Sequence, residues 1–324
     1  MTFGSETDEK GSHAQLDRFL EAGGNLIDTA DVYSGTESES IIGRWLAKQS
    51  ATVLDRVVIA TKGRFPTGPG PNDVGLSRRH LSRAIDASLR RLGIDCIDLY
   101  QVHAHDPWAP IEETLRALDD AVHMGKVNYV GLSNFTGWQV QKAVDVARAH
   151  NLNGPITLQP QYNLLVREIE WEIVPACQAE GLGLLPWSPL GGGWLTGKYR
   201  RDQRPTGATR LGENPERGVE AYDRRGAQQR TWDVIAAVEA VAKAEGCSMA
   251  QVALSWARDR PAVSSVILGC RTIKQLDDNL GAAELDLSAE EIDALDQASD
   301  PGAADYPYGR PGTEQRSRKI EGGR

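Results

Sequence analysis

Residues 23–33, Gly23-Gly24-Asn25-Leu26-Ile27-Asp28-Thr29-Ala30-Asp31-Val32-Tyr33, decide how the chain is read. A Gly-Gly turn closes a helix and hands over to a short apolar run, the pattern of a buried strand. The run ends on a carboxylate, so Asp28 falls at the carboxyl end of the strand and Tyr33 on the loop beyond it. In barrels of parallel strands, that end is where chemistry is assembled. A turn-capping Asp and a half-buried Tyr are the plain alternative for this stretch taken alone.

The pattern set there repeats along the chain. Residues 56–61 (RVVIAT) form a β-branched run suited to a strand buried on both faces, with Lys62 directly after it. Residues 96–102 (CIDLYQV) read as the next strand, ending at His103. Further strands are expected at 127–132, 156–159, 183–186 and 263–268, with a remnant of something extended at 1–4. Helices are predicted between them, including one capped by Ser77 and one opened by a Ser-x-x-Glu capping box at Ser288. Seven strand-helix units in strict alternation require parallel strands, and about 250 residues suits a single barrel. A doubly wound open sheet is the rival. It would carry a Gly-rich dinucleotide turn after its first strand, and no G-x-G-x-x-G occurs in the chain.

Bulk properties narrow the function. The 324 residues are 40% hydrophobic and 25% charged, as in ordinary globular proteins. A formal net charge of −9 argues against a nucleic-acid or anionic-membrane partner. No apolar run approaches a membrane span. Cys96, Cys177, Cys247 and Cys270 are scattered without metal-ligand or disulfide-framework spacing, as expected of reduced thiols in a cytoplasmic protein.

Asp28, Lys62 and His103 each end a strand, and Tyr33 follows the first. A barrel brings such ends together around one mouth, so four polar groups are expected to converge. Asp28 with Lys62 as a structural ion pair, and His103 as a rim residue, are the alternatives. His105 is expected on the solvent side.

The segments GGNLIDTADVYSGTESE, VIATK, IDLYQVH, GKVNYVGLSNF, LQPQYNLL, PWSPLGGGWLTGKY and ILGCRTIKQLDDNLGA occur in that order over nearly the whole chain. Together they resemble the successive motifs of the aldo-keto reductase superfamily, in the branch that holds bacterial aldo-keto reductases and potassium-channel β-subunits. The resemblance implies an α/β fold, a (β/α)8 TIM barrel over residues 1–299 with an irregular tail at 300–324. It implies reduction of a small-molecule aldehyde or ketone with NADPH, and a catalytic tetrad of Asp28, Tyr33, Lys62 and His103. Tyr33 would be the general acid, its pKa drawn down by Lys62; Asp28 would hold Lys62, and His103 would orient the carbonyl.

For the cofactor, the resemblance assigns Ser133, Asn134 and Gln159 to the nicotinamide carboxamide and Trp187 to stacking on the ring. Ser188, Leu190, Gly191, Gly192 and Lys198 fall on the segment crossing the pyrophosphate. Gly269 and Arg271 open a helix suited to phosphate, Arg271 facing a ribose 2′-phosphate, with Gln275 and Asn279 toward the adenine. Members usually begin earlier, with a hairpin and a first strand ending in Gly-Thr-x-Thr-Phe-Gly. This chain starts at Met1-Thr2-Phe3-Gly4, so the hairpin and most of the first strand are expected to be absent.

Two other functions fit parts of the pattern. One is a catalytically impaired or regulatory nicotinamide-binding protein, against which His103 argues because the channel subunits carry Asn there. The other is an aldolase or isomerase using Lys62 as a Schiff base. Specificity is expected from the loops 64–75, 106–109 and 194–226, with Trp108 and Trp194 as candidate pocket walls.

Overall fold

The computed structural model describes residues 1–207, 209–216 and 218–317. Six strands, β1 (Leu26–Asp28), β2 (Val58–Gly63), β3 (Ile97–Val102), β4 (Val127–Ser133), β5 (Pro155–Gln159) and β6 (Gly183–Leu184), form one sheet. They lie in sequence order with every neighbouring pair parallel, and curve into a half-barrel. The doubly wound alternative is thereby excluded, since its strand order reverses at a switch point.

Residues 263–268, expected as the last strand, only begin one. Val263 bridges Leu184, Ser264 N donates to Leu184 O, and Ile267 N donates to Pro186 O. The regular ladder of β6 stops at Leu184, and Pro186, which has no N–H, cannot extend it. The opening residues also depart from expectation. Instead of a strand remnant they close a turn, with Glu6 N and Thr7 N both donating to Thr2 O and Phe3 bridging Thr7. Among the described residues, no strand pairs with the outer edge of β1 to close the sheet onto the 263–268 segment.

Alternation along each strand separates two environments. On β3, Leu99, Gln101 and His103 point inward at every second position, while Tyr100 and Val102 join the apolar layer under the helices. On β2 the inward set is Ala60 and Lys62. Ala60, Leu99 and Leu185 fill the floor, with Leu26 and Ile267 against them. The inward face therefore changes from apolar to polar along each strand, and the polar half is at the carboxyl ends.

The helices follow the local signals. Ser77 caps the helix Arg78–Leu92, accepting from His80 N, and Gly93 ends it in the left-handed region. Ser288 and Glu291 form the expected capping box of Ala289–Ser299. The tail is less irregular than expected: Arg310–Arg316 is helical, with Pro311 in its first turn, where a fixed φ assists initiation. Residues 318–324 of that tail lie outside the described residues.

Behind β2, the outward face of the sheet carries a second polar layer. Glu39 accepts from Thr61 Oγ1 at 2.5 Å and from Arg91 Nε at 2.6 Å. Beside it lies Asp31, wholly buried, neither carboxylate oxygen having a hydrogen-bond partner. Burial, and then the Glu39 charge, push the Asp31 carboxyl up to about 7, with Arg91 and Lys62 pulling weakly the other way. The folded state thus binds a proton that the unfolded chain releases near pH 4. Stability is greatest below that point and falls as pH rises toward 7, by about 4 kcal/mol at most. Asp31→Asn should therefore unfold at a higher denaturant concentration than the parent at pH 8, with the advantage shrinking toward pH 5; denaturation curves at the two pH values check this.

Candidate active site

The carboxyl ends of β1 to β5 bring the expected polar residues into one region. Lys62, with no exposed surface, donates to both oxygens of Asp28, at 2.7 and 2.6 Å, and to Thr29 O at 2.6 Å. Gln159 Nε2 and Gln101 Nε2 also donate to Asp28 Oδ1, at 2.9 and 3.3 Å. Asp28 is therefore the acceptor hub, collecting donors from β2, β3 and β5.

Around that hub the charges are set by burial and pairing. Desolvation disfavours the Lys62 ammonium, but Asp28 and Tyr33 together outweigh it and hold the pKa above the usual value. A Schiff base needs a neutral amine, and Lys62 also stands behind the cavity wall, so the aldolase reading loses its nucleophile. The Tyr33 phenol lies with its ring centroid 5.3 Å from Lys62 Nζ. Burial raises the Tyr33 pKa, and the opposing pull of Lys62 does not win because Asp28 pushes the same way as burial. The expected lowering is thus not seen, because burial of the phenol, joined by Asp28, outweighs the pull of Lys62.

His103 completes the group, its Nε2 3.5 Å from the Tyr33 hydroxyl and its ring packed edge-on against Phe65 at 4.8 Å. Burial, then Lys62 and Arg64, push its pKa down to about 3, so the ring is neutral near pH 7. His105 sits farther out, against Phe135 and Trp138, as the sequence suggested.

These groups face a cavity of about 970 Å³. Asp28, Tyr33 and His103 line it, as do Ser133, Asn134, Gln159, Trp187, Ser188, Leu190, Gly192, Lys198, Gly269, Arg271, Gln275 and Asn279. Gly191 does not; it is buried behind the wall, near Leu165. Several of the residues expected to meet a ligand first meet one another. Asn134 Nδ2 donates to His103 O at 2.9 Å and to Ser133 Oγ at 3.1 Å, and its Oδ1 accepts from Trp187 Nε1 at 3.0 Å. Gln159 has its nitrogen on Asp28, which leaves its oxygen for a ligand.

At the far end the cavity gathers three cations, Lys198, Arg210 and Arg271, together with the carboxylates of Glu6, Glu220 and Asp278. Burial and the charges of Arg271 and Arg210 lower the Lys198 pKa, a strain that a bound anion would relieve. A Cβ on Gly193 would lie 2.3 Å from Lys198 Cε, so glycine is required for the lysine to lie over that turn. Arg271 is held by Glu6 at 2.9 Å and by Glu213 at 2.7 Å. A polar end with neutral hydrogen-bonding groups, an indole and an end that gathers cations suits a nicotinamide dinucleotide in donor set and in volume.

The model of the aldo/keto reductase family matches residues 1–300. The chain belongs to this family. Among relatives, a probable voltage-gated potassium channel subunit beta from Oryza sativa subsp. japonica is 36% identical over 299 residues, covering 91% of this chain and 89% of the relative. The uncharacterized oxidoreductase YrpG of Bacillus subtilis is 36% identical over 298 residues, 90% and 87% of the two chains. The versiconal hemiacetal acetate reductase of Aspergillus parasiticus is 36% identical over 293 residues, 85% and 83%. Membership in the aldo/keto reductase family makes the chain an oxidoreductase of the carbonyl-reducing kind, with a nicotinamide cofactor the general rule.

Some contributors escaped the sequence reading. Asn163, fully buried, donates to Ser188 O and accepts from Leu165 N, fixing the turn that leads into the glycines. Its place inside LQPQYNLL was visible, but nothing local marked its role. Phe65 and Val32 line the cavity, whereas Trp108 and Trp194 do not. Trp108 is 92% exposed, and Trp194 is buried, stacked on Tyr222 and edge-on to Trp232. Apolar content alone could not tell a wall from a core.

Removing the hub should be costly. Asp28→Ala leaves a wholly buried ammonium without its carboxylate and is expected to cost about 3–5 kcal/mol in urea denaturation. The double variant Asp28→Ala/Lys62→Met, which removes both charges, should recover most of that loss.

Proposed function

We infer that the chain reduces an aldehyde or ketone to an alcohol with NADPH, within a (β/α)8-type barrel of which the described strands form one arc. The single observation that carries this reading is the convergence of Tyr33, His103 and the Asp28–Lys62 pair on one cavity that also holds Trp187 and the cations of the far end. A reduced nicotinamide, when bound, supplies hydride to a carbonyl carbon. Every other part of the reaction falls to the chain's own groups.

A carbonyl oxygen between Tyr33 Oη and His103 Nε2 would meet two hydrogen-bonding atoms 3.5 Å apart. The neutral imidazole fixes the oxygen without adding charge. The phenol, protonated at the working pH, donates as negative charge grows on that oxygen. Lys62 then steadies the phenolate left behind, and Asp28 keeps the lysine in place through proton transfer. Arg271 and Lys198 supply the charge expected to favour a 2′-phosphorylated dinucleotide. Val32 and Phe65 at the cavity wall support an apolar substituent on the carbonyl.

Tyr33→Phe should keep the quenching of tryptophan fluorescence on NADPH addition while losing about 10²–10⁴-fold in turnover on a panel of aldehydes and ketones. Full turnover in that variant would overturn the assignment. Because His103 stays neutral down to about pH 3, the profile of kcat/KM for reduction should show no histidine inflection between pH 5 and 8.

A further inference from the structure

The cationic end of the cavity is already supplied with carboxylates, and two of them come from one irregular stretch of chain. Glu220 is buried, and its Oε1 accepts from Ser188 Oγ. A Cβ on Gly192 would stand 2.2 Å from Glu220 Oε2, so the carboxylate fills the space that glycine leaves open. Gly192 N in turn donates to Ser188 Oγ at 3.2 Å, and Trp194 Nε1 to Glu220 O at 2.9 Å. Among the described residues no lysine or arginine is within ion-pair distance of Glu220, so a buried carboxylate rests mainly on one hydroxyl. Glu213, seven residues earlier, places both oxygens on Arg271, at 3.2 and 2.7 Å.

We propose that Glu220 and Glu213 are internal phosphate mimics, Glu220 on the cavity wall at the pyrophosphate position and Glu213 from outside the lining, on the Arg271 guanidinium that a 2′-phosphate would take, until the cofactor displaces them. The inference rests on the dinucleotide reading above and extends it to what sets affinity and selectivity. Glu220 lies over the glycine turn, where the carboxylate and a pyrophosphate would repel at short range. Glu213 shares with Glu6 the arginine that a 2′-phosphate would seek and takes its terminal nitrogens, so Glu220 and Glu213 each oppose a different phosphate. Glu220 penalises NADH and NADPH alike, whereas Glu213 penalises only NADPH.

Titration of the full-length chain by tryptophan fluorescence, with NADH, NADPH and inorganic pyrophosphate as separate probes, tests this. Glu220→Gln should bind all three about tenfold more tightly. Glu213→Gln, half-exposed and tolerant of substitution, should bind NADPH about tenfold more tightly and leave NADH unchanged. Unchanged or weaker NADPH binding by Glu213→Gln, or weaker binding of the probes by a folded Glu220→Gln, would overturn the proposal, since the carboxylates would then be latches over bound cofactor or bystanders. Binding of none of the probes by any form would overturn it as well. Should Glu220→Gln gain affinity for pyrophosphate while every form ignores NADH and NADPH, the reductase reading would fall and the mimicry at Glu220 would stand.

Discussion

The ion pair between Asp28 and Lys62 is the constraint from which the rest follows. An ammonium with no exposed surface is tolerable only with its counter-ion fixed and its hydrogens satisfied. Satisfying it takes a carboxylate from β1, the Thr29 carbonyl, and two amides from β3 and β5 that hold the carboxylate itself. Four strands are thereby pinned in one register at one end. The same pinning fixes Tyr33, five residues beyond Asp28, and His103, two beyond Gln101. Stability and site geometry are thus one arrangement, and the polar half of the sheet's inner face is where an apolar half would have been easier to pack.

Alternation of side chains gives each strand two tasks. On β2, Lys62 points inward to Asp28 while Thr61, one residue earlier, faces outward to Glu39. Asp28 ends β1 and Asp31 follows three residues later, yet one accepts four hydrogen bonds from three nitrogen donors and the carboxylate oxygens of the other have no partner. Their contrast explains the opposite behaviour of two similar carboxyls: one anchors a charge and the other resists carrying one. Asp31 N also donates to Lys62 O at 2.9 Å, so the outer layer and the inner hub share a backbone link.

Most of the architecture was legible in the chain because its signals are local. β-branched runs, Ser caps and Gly stops set the elements, and their alternation set the parallel order. Asp28, Lys62 and His103 were visible because each ends a strand. What escaped was settled by tertiary partners. The seventh strand fails to develop because Pro186 interrupts its neighbour, and the helix at Arg310–Arg316 sits in a stretch whose composition suggests none. The Tyr33 pKa went the opposite way to expectation because burial of the phenol outweighs the pull of Lys62, and the depth of that burial is something no sequence spacing gives. Trp194 was misjudged for a similar reason: its partners Tyr199, Tyr222 and Trp232 lie within forty residues, but nothing in their order shows that they close on one another rather than on a ligand.

Charge is distributed unevenly along the cavity, and that asymmetry sets which way a ligand lies. At the Tyr33 end, Asp28 cancels Lys62 and His103 is neutral, so the walls offer hydrogen bonds and little net field. At the other end, Lys198 and Arg210 have no carboxylate within ion-pair distance among the described residues, and Arg271 is answered from the cavity's own rim. A ligand with a neutral reactive ring and an anionic tail lowers its energy in one orientation only, because reversal would put phosphates beside Asp28 and leave Lys198 and Arg210 without a counter-charge. Lys198 and Arg210 thus favour one orientation, with Glu220 working against them at short range, and the network of Asn134, Ser133 and Trp187 refines the placement.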